Sequence, residues 1–585
     1  MSSDSSIEVL HHRAIDWWRD AVIYQIYPKS WADANGDGYG DCAGVRARLP
    51  YLAELGIDAI WFSPFYKSPD NDGGYDVADY RDIDPRFGTI DDVVAMVQEA
   101  HDLGIKVLID IVPNHTSSEH AFFQAALKTA PGSPEWARYH VLPGKGLHGE
   151  QPPNNWKSVF AGEAWSRILD KSGRPTGYWY LHLFDDTQPD VNWEHPDIVE
   201  EFDQTIRFWL DRGIDGFRVD VTHGLIKAPG YPDDNGETRV TADDGTMIDL
   251  EPRPYWDQPG VHEIYRRWRS ISNEYSPARI FVGEIWVGTP ARLAAYLRED
   301  ELHTGFNFPF LKANWRAQEL RPVIVDSLKN DEAVGATTTW VLENHDVPRV
   351  VTRYAPLRQE ALALEEQESQ LSAQIQEQAL TDEDFKRGRR RARAGMLLML
   401  ALPGSAYIWQ GQELALDEIT DLPDDERQDP VWFRTKGVEK GRDGCRVPMP
   451  WTRAGSALGF GPDGSKPWLT QPPYWADLSV EAQEGDPASM LELTRKALHI
   501  RRREMSLGDG EMVWRDDLGL GEQVLAFERP PIDGSPAVLV ITNTGQSDVE
   551  LPNAGMLLVA SQPTIERTAA NALVIPADTT VWLRA

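Results

Sequence analysis

Apolar positions along this chain follow two rhythms. Ala21 to Tyr27 (AVIYQIY) and Ile57 to Phe62 (IDAIWF) are short, nearly continuous apolar runs and read as buried strands. Asp91 to Leu103 follows the helical period, with Val93, Val94, Met96, Val97 and Ala100 on its buried side. Gly104 closes that helix, and the strand Ile105 to Val112 (IKVLIDIV) follows. The same helix–glycine–strand phrase returns between Phe202 and Val221, where Gly213 ends a helix and IDGFRVDV continues. Arg279 to Gly283, Thr304 to Phe308, Thr337 to Leu342 and Ser405 to Trp409 complete a set of eight strands that alternate with helices. Such a pattern predicts an α/β fold, a closed parallel (β/α)₈ TIM barrel.

The rhythm breaks in three places. Between the third strand and the helix near Phe202 lie about eighty residues rich in Pro, Gly, Trp and Asn, too long for a plain connection. An inserted small domain is expected there, at 116–194, between barrel segments 1–115 and 195–505. Beyond the helix Ala488 to Arg503 come period-2 strands (VLAFERP, AVLVITNT, MLLVAS, TTVWLRA) with turn signals between them. They predict a C-terminal antiparallel β-sandwich at 506–585. Residues 357–393 form an insert of their own. Leu364, Leu371 and Ile375 stand at helical spacing in an acidic stretch, and Thr381 with Asp384 can cap a following helix. The basic run Lys386, Arg387, Arg389, Arg390, Arg391 and Arg393 is expected to be solvated or paired on a helical hairpin, with substrate gating as the alternative.

Composition narrows the function classes. The chain has 585 residues, 41% hydrophobic and 26% charged, with a net charge of −34 from 58 basic and 92 acidic side chains. That field repels nucleic acid and anionic membranes and favours neutral small molecules. No apolar run approaches a membrane span, the longest being Ala394 to Leu402, and Met1 to Leu10 lacks the build of a secretory signal. Only Cys42 and Cys445 occur, so a disulfide scaffold is excluded, and reduced thiols in a cytoplasmic protein are expected.

Candidate chemistry gathers at the carboxyl ends of the strands, where barrels of this kind carry their sites. Reading those ends gives Asp110 with Asn114 and His115, then Arg218 with Asp220, then Glu284, then His345 with Asp346. Arg218 and Asp220 are two apart and share one side of their strand, so the arginine can hold the aspartate ionised. A strand-end aspartate by itself is more often a cap or an ion-pair partner; the constellation carries the argument. Carboxylates with histidines and an arginine suit glycoside cleavage, in which one carboxylate attacks the anomeric carbon and another donates a proton to the leaving oxygen. Glu284 follows the apolar run RIFVG and precedes Ile285 and Trp286, an apolar setting suited to a carboxyl needed in its acid form.

DIVPNH (Asp110 to His115), QPDVN (Gln188 to Asn192), GFRVDVTH (Gly216 to His223), GEIW (Gly283 to Trp286) and ENHDVPR (Glu343 to Arg349) resemble the motifs of glycoside hydrolase family 13, the α-amylase family, in order and spacing. The resemblance spans nearly the whole chain. It implies a retaining mechanism with Asp220 as nucleophile, Glu284 as general acid/base and Asp346 as transition-state stabiliser, and with His115, Arg218 and His345 contacting the sugar in the −1 subsite. DGGYD, GCRVPMPW (Gly444 to Trp451) and FNFPF (Phe306 to Phe310) look like the oligo-1,6-glucosidase and α-glucosidase branch. In that branch Asp72 and Tyr75 would close the −1 subsite around a terminal glucose, and Arg446 would pair with Asp72. The implied activity is exo-acting α-glucosidase on short maltose- or isomaltose-type sugars, with some transglucosylation. Val221 fits members acting on α-1,6 bonds, whereas Thr222-His223-Gly224 departs from them. The alternatives are a glucosyl transferase or isomerase of the sucrose isomerase or trehalose synthase type, and a non-catalytic sugar-binding relative.

A further pattern, Asp33, Asn35, Asp37, Tyr39 and Asp41, sets oxygen donors at alternate positions in a glycine-rich loop, the logic of a calcium site. It is not an EF-hand, because Gly44 stands at the twelfth position. An Asx/Gly turn without an ion is the alternative. The similar loop of the branch binds Ca²⁺ or Mg²⁺, so a structural ion is expected and no organic cofactor. Short α-glucosides are the expected partners, with neither nucleic acid nor membrane, in a monomer or homodimer.

Overall fold

The computed structural model describes residues 16–584, apart from 237–238, 242–246, 250–252, 357–379 and 533. Its centre is a parallel barrel of β1 (Val22–Ile26), β2 (Ala59–Phe62), β3 (Lys106–Ile111), β4 (Gly216–Val219), β5 (Ile280–Gly283), β6 (Thr304–Gly305), β7 (Thr339–Val341) and β8 (Ser405–Trp409). Hydrogen bonding runs β6–β5–β4–β3–β2–β1–β8–β7, every pair parallel, and the Phe306–Thr339 bridge joins β6 to β7 and closes the ring. Ile23, Ala59, Trp61, Leu108, Ile280, Val282, Phe306 and Tyr407 fill its interior. The strands are buried on both faces, which is why they read as continuous apolar runs.

Around the barrel run α1 (Cys42–Leu55), α2 (Ile90–Asp102), α3 (Pro196–Leu210), α4 (Val261–Ser272), α5 (Pro290–Ala295), α6 (Ala317–Glu332), α7 (Asp382–Ala401) and α8 (Met490–Arg503). A capping box starts α2, in which Thr89 Oγ1 accepts the Asp92 N–H and Asp92 Oδ2 accepts the Thr89 N–H at 2.9 Å. Val93, Met96, Val97 and Ala100 are buried as the period predicts, but Val94 is 38% exposed, at the rim of the apolar stripe. The run Thr304 to Phe308 is strand only as far as Gly305. Asn307 then accepts the Phe310 N–H at 3.0 Å, and with Pro309 it starts a short helix, Phe308–Lys312.

Between β3 and α3 stands a three-stranded antiparallel sheet, Val141–Pro143, Pro175–Leu181 and Trp165–Leu169 in spatial order. Its core joins Trp156, Trp165, Trp179 and Leu181 to Tyr255 from the long loop after β4. At the C-terminus, Val513–Trp514, Val524–Arg529, Val538–Asn543, Thr579–Arg584 and Met556–Ala560 form a five-stranded antiparallel sheet. The pair Val549–Leu551 and Leu573–Ile575 packs on it through Val524, Ile541, Leu573 and Val581.

Within the 357–393 insert, Leu364, Leu371 and Ile375 lie outside the described residues. The Thr381–Asp384 capping box opens α7 as expected. Its basic run is paired. Arg387 meets Asp384, Arg389 meets Asp417 at 2.7 Å, Arg391 meets Asp578 at 2.9 Å, and Arg393 Nε donates to the Ser561 carbonyl at 2.7 Å. Cys42 and Cys445 are free and buried. Among the described residues no helix is long and apolar enough to cross a membrane.

Candidate active site

Asp110 ends β3, Arg218 and Asp220 end β4, Glu284 follows β5, and His345 and Asp346 follow β7. The barrel therefore gathers at one mouth what the chain separates by more than two hundred residues. Arg218 organises one half of the site. Its Nη1 donates to Asp110 Oδ1 at 2.8 Å and to Asp220 Oδ1 at 2.6 Å, and its Nη2 lies 2.8 Å from Glu284 Oε2. Val221 has a φ of 45°, a costly conformation for a β-branched residue, and its N–H points at Glu284 Oε2 from 3.0 Å. Trp286 Nε1 donates to the other oxygen, Oε1, at 2.9 Å. The apolar surroundings expected for the Glu284 carboxyl are thus not found: the preceding strand is apolar, but the carboxyl group meets donors on both oxygens.

Three carboxyl groups on one guanidinium cannot all be ionised cheaply. Burial pushes Asp110 up to about 7, against the pull of Arg218 and of the Tyr75 hydroxyl. Burial also drives Asp220 well above the usual carboxylate range, with Glu284, Asp110 and Asp346 adding to it and Arg218 opposing.

A second half of the site is proton-poor. Asp346 is buried, which raises its proton affinity, yet His345, Arg442, Arg446 and Arg218 together hold it below the usual range. Arg446 Nη2 reaches Asp346 Oδ1 at 2.8 Å, and Arg442 Nη1 reaches the same oxygen at 3.1 Å. The expected Arg446–Asp72 pair is corrected here. Asp72 Oδ1 is met by Arg442 Nη2 at 2.9 Å, because Asp346 and the His345 carbonyl already engage Arg446. Burial lifts Asp72 to about 6 despite Arg442. The DGGYD turn needs its glycines, since at Gly73 (φ +57°) a Cβ would lie 2.5 Å from the Tyr27 hydroxyl.

Two neutral histidines link the halves. Gln25 Nε2 donates to His345 Nδ1 at 2.7 Å, which leaves the proton on Nε2, between Tyr75 Oη at 2.5 Å and Asp346 Oδ2 at 3.1 Å. Burial holds His345 far below its ordinary range and His115 at about 4. His115 Nε2 lies 3.2 Å from the Tyr75 carbonyl and 3.1 Å from Gln188 Nε2, which also donates to Asp72 Oδ2 at 3.0 Å. Asp72, Tyr75, His115, Arg218, Asp220, Glu284, His345, Asp346 and Arg446 thus form one connected polar network.

The catalytic-domain signature of the α-amylase family matches residues 25–510. The chain belongs to that family, glycoside hydrolase family 13. It is 34% identical over 558 residues to an oligo-1,6-glucosidase of Parageobacillus thermoglucosidasius, covering 90% of each chain. It is 36% identical to a probable alpha-glucosidase of Rhizobium meliloti, covering 86% of each. A crystal structure of an alpha-glucosyl transfer enzyme superposes with a TM-score of 0.79 at 32% identity, covering 97% of this chain and 99% of that one.

This family member uses residues that the strand-end motifs do not announce. Arg442 binds Asp72, Asp346 and Asp429, the last at 2.6 Å. The only signal for it is its place four residues before Arg446, just outside the GCRVPMPW segment. Lys227 is buried, and its Nζ contacts Asp190 at 2.8 Å, Asn114 Oδ1 at 3.1 Å and the Gly224 carbonyl at 2.5 Å. It ties the ends of β3 and β4 to the inserted domain. No sequence signal separates it from an ordinary surface lysine.

The Asp33–Asp41 loop lies outside this network. Asp33 accepts the Gly36 and Gly38 N–H groups at 2.6 and 2.9 Å, and Asp41 accepts those of Gly44 and Ala34 at 2.7 and 3.1 Å. Asn35 and Asp37 each accept one backbone N–H, and the Tyr39 ring stacks on Trp468. Among the described residues no group of three or more His, Cys, Asp or Glu is gathered for a metal. The donors are nevertheless hard oxygens with lone pairs to spare, which fits a hard cation in kind.

Proposed function

We propose that this protein is a retaining, exo-acting α-glucosidase that releases terminal α-linked glucose from short oligosaccharides. The observation that carries the reading is the placement of Asp220 and Glu284 on neighbouring nitrogens of one guanidinium, beside a buried Asp72–Arg442–Asp346–Arg446 lattice. Two acids held on one guanidinium suit the close pair of a retaining enzyme, roughly 5–5.5 Å, rather than the roughly 6.5–9.5 Å pair that admits water in an inverting one. In the first step Asp220 attacks the anomeric carbon while Glu284 gives its proton to the departing glycosidic oxygen, so the glycosidic bond breaks as the glucosyl–aspartate bond forms. In the second step Glu284 takes a proton from water, whose oxygen displaces Asp220 and regenerates both groups. Asp346, held ionised, stabilises the positive charge that develops on the sugar. His115 and His345, both neutral, and Arg218 address its hydroxyls. The Asp72–Arg442 pair walls the pocket beyond the terminal glucose, which favours exo-action.

The relatives named as glucosidases support this reading. Glucosyl transfer is the second reading, favoured by the likeness to the alpha-glucosyl transfer enzyme. We include in the proposal a Ca²⁺ or Mg²⁺ held by Asp33, Asn35, Asp37, Asp41 and the Tyr39 carbonyl, where the ion would neutralise and stiffen the loop. The two buried free thiols suit a cytoplasmic setting, and the proposal takes the protein as a monomer or homodimer.

The test is product analysis of wild type and Asp220→Asn on maltose, isomaltose, sucrose and short maltooligosaccharides. Glucose released by wild type and not by the variant supports the proposal, and the fastest disaccharide reports the linkage preference. Rearranged disaccharides as the main product would replace hydrolysis by transfer. No turnover by wild type would refute both readings.

A further inference from the structure

Glu284 has two unlike oxygens. Oε2 is committed to the barrel, with Arg218 Nη2 at 2.8 Å and the Val221 N–H at 3.0 Å. Oε1 is free of the arginine and takes the Trp286 indole N–H at 2.9 Å. The oxygen that exchanges a proton with an aglycone or with water is therefore the one that Trp286 grips. The indole is itself immobilised. Its ring stacks on Phe308 with centroids 3.6 Å apart and planes 9° apart, and Lys312 Nζ lies 4.6 Å from its centroid on a side chain that is almost wholly buried. Its backbone N–H points at His223 Nδ1 from 3.4 Å. Phe308 and Lys312 come from the short helix after β6, so that helix reaches the reacting carboxyl through one aromatic plane.

We propose that Trp286 is a positioning residue for the general acid/base: held by Phe308 and Lys312, it fixes Oε1 of Glu284 toward the leaving-group oxygen. The inference rests on the assignment of Glu284 made above. One lone pair of Oε1 is filled by the indole N–H, so the transferable proton occupies the remaining one and has a single direction in which to leave. Loss of that direction slows proton transfer and leaves attack by Asp220 untouched.

The experiment compares two substrates. A disaccharide such as maltose needs its leaving oxygen protonated, whereas α-glucosyl fluoride departs with little protonation. Trp286→Phe keeps the stacked ring and removes the N–H. We expect kcat/KM on maltose to fall roughly 10- to 100-fold and kcat/KM on the fluoride to stay within about threefold. Phe308→Leu, which keeps the N–H and removes the stack, should give the same selectivity to a smaller degree, and it serves as the test if Trp286→Phe does not fold. Glu284→Gln is the reference. If Glu284→Gln is selective and Trp286→Phe loses both substrates in parallel, or neither, the assignment of Glu284 survives and the role of Trp286 is refuted. If Glu284→Gln itself loses both equally, the assignment fails and this inference with it.

Discussion

Replacing Arg442 by methionine tests the lattice that walls the pocket. The substitution keeps most of the side-chain volume and removes one charge-assisted contact from each of three buried carboxylates, Asp429 at 2.6 Å, Asp72 at 2.9 Å and Asp346 at 3.1 Å. A hydrogen bond to a charged group contributes about 1.5–3 kcal/mol. Asp346 keeps Arg446 and His345, so the loss falls mainly on Asp72 and Asp429. Asp72 titrates at about 6, burial outweighing the pull of Arg442. Losing about 2 kcal/mol of that pull is worth roughly 1.5 pH units, which carries Asp72 from about 6 to above neutral. The sign follows directly. An acid whose folded value lies above its unfolded one contributes stability at low pH and loses it as pH rises through the folded value, so the variant's deficit in Tm grows from about pH 5 to about pH 8. Activity shows the same shift. If ionised Asp72 grips the terminal glucose, the acid limb of kcat/KM moves upward, and kcat/KM falls about fourfold near pH 7 and up to about 30-fold below about pH 5. The assay is initial-rate hydrolysis of p-nitrophenyl α-glucoside across that range, with thermal melts alongside. An acid limb that stays in place, with kcat/KM at about pH 5 within roughly threefold of wild type, would refute the role given to the lattice.

Three other outcomes are expected. Lys227→Met leaves Asp190 buried beside no cation and should cost about 3–5 kcal/mol in urea unfolding, much of it restored when Asp190→Asn is added; additive losses would contradict the pairing. Chelation should lower Tm reversibly if the Asp33–Asp41 loop holds an ion, since an ion at a hundred times its Kd adds about 2.7 kcal/mol; an unchanged melt in EDTA removes the ion from the proposal. Asp578→Ala strips Arg391 and the Trp315 indole of a shared acceptor, both at 2.9 Å, and should cost about 3 kcal/mol. A denaturation midpoint equal to wild type would show that this hub does not hold the C-terminal sheet on α7.

The barrel was legible because its strands are buried on both faces and its helices on one, so the two periods alternate in plain view. Thr381 announced its helix because a capping box is local, spanning four residues. The end of β6 was not legible. Phe306 to Phe310 has strand composition, and only the Asn307 cap with Pro309 turns it into the helix that holds Trp286. The strand-end acids were legible for a similar reason, since position at a carboxyl end is readable once the strands are. The Arg218–Asp220 pair was legible from its two-residue spacing, but the partners of Asp72 and Asp346 were not. Arg442 and Arg446 lie on the same segment after β8, and which of them meets Asp72 depends on how that segment crosses the barrel mouth. Lys227 gives no sign of burial in its neighbours along the chain; its oxygens come from the loops after β3 and β4 and from Asp190, late in the segment between β3 and α3.

Counting charge across the mouth separates the two roles that glycoside cleavage demands. Arg442 and Arg446 converge on Asp346, and that carboxylate is held ionised. Arg218 alone serves Asp110, Asp220 and Glu284, and there burial and mutual repulsion lift Asp110 to about 7 and Asp220 well above its ordinary range. His115 and His345 add no positive charge at neutral pH, since burial holds both well below it. The Arg218 cluster therefore retains a proton near neutrality, and the proton belongs to the cluster rather than to one residue. On the proposed mechanism the productive state has it on Glu284 Oε1, the oxygen that Arg218 does not touch, which leaves Asp220 ionised against Nη1. A donor and a nucleophile can thus share one arginine because its two nitrogens meet different acids, and Glu284 keeps its second oxygen on Trp286. Neutralising Asp110, the third acid of the cluster, removes one competitor for that proton and one source of repulsion. Asp110→Asn should therefore let Asp220 ionise at lower pH, and an acid limb of the pH–kcat/KM profile that stays at its wild-type position would refute the sharing.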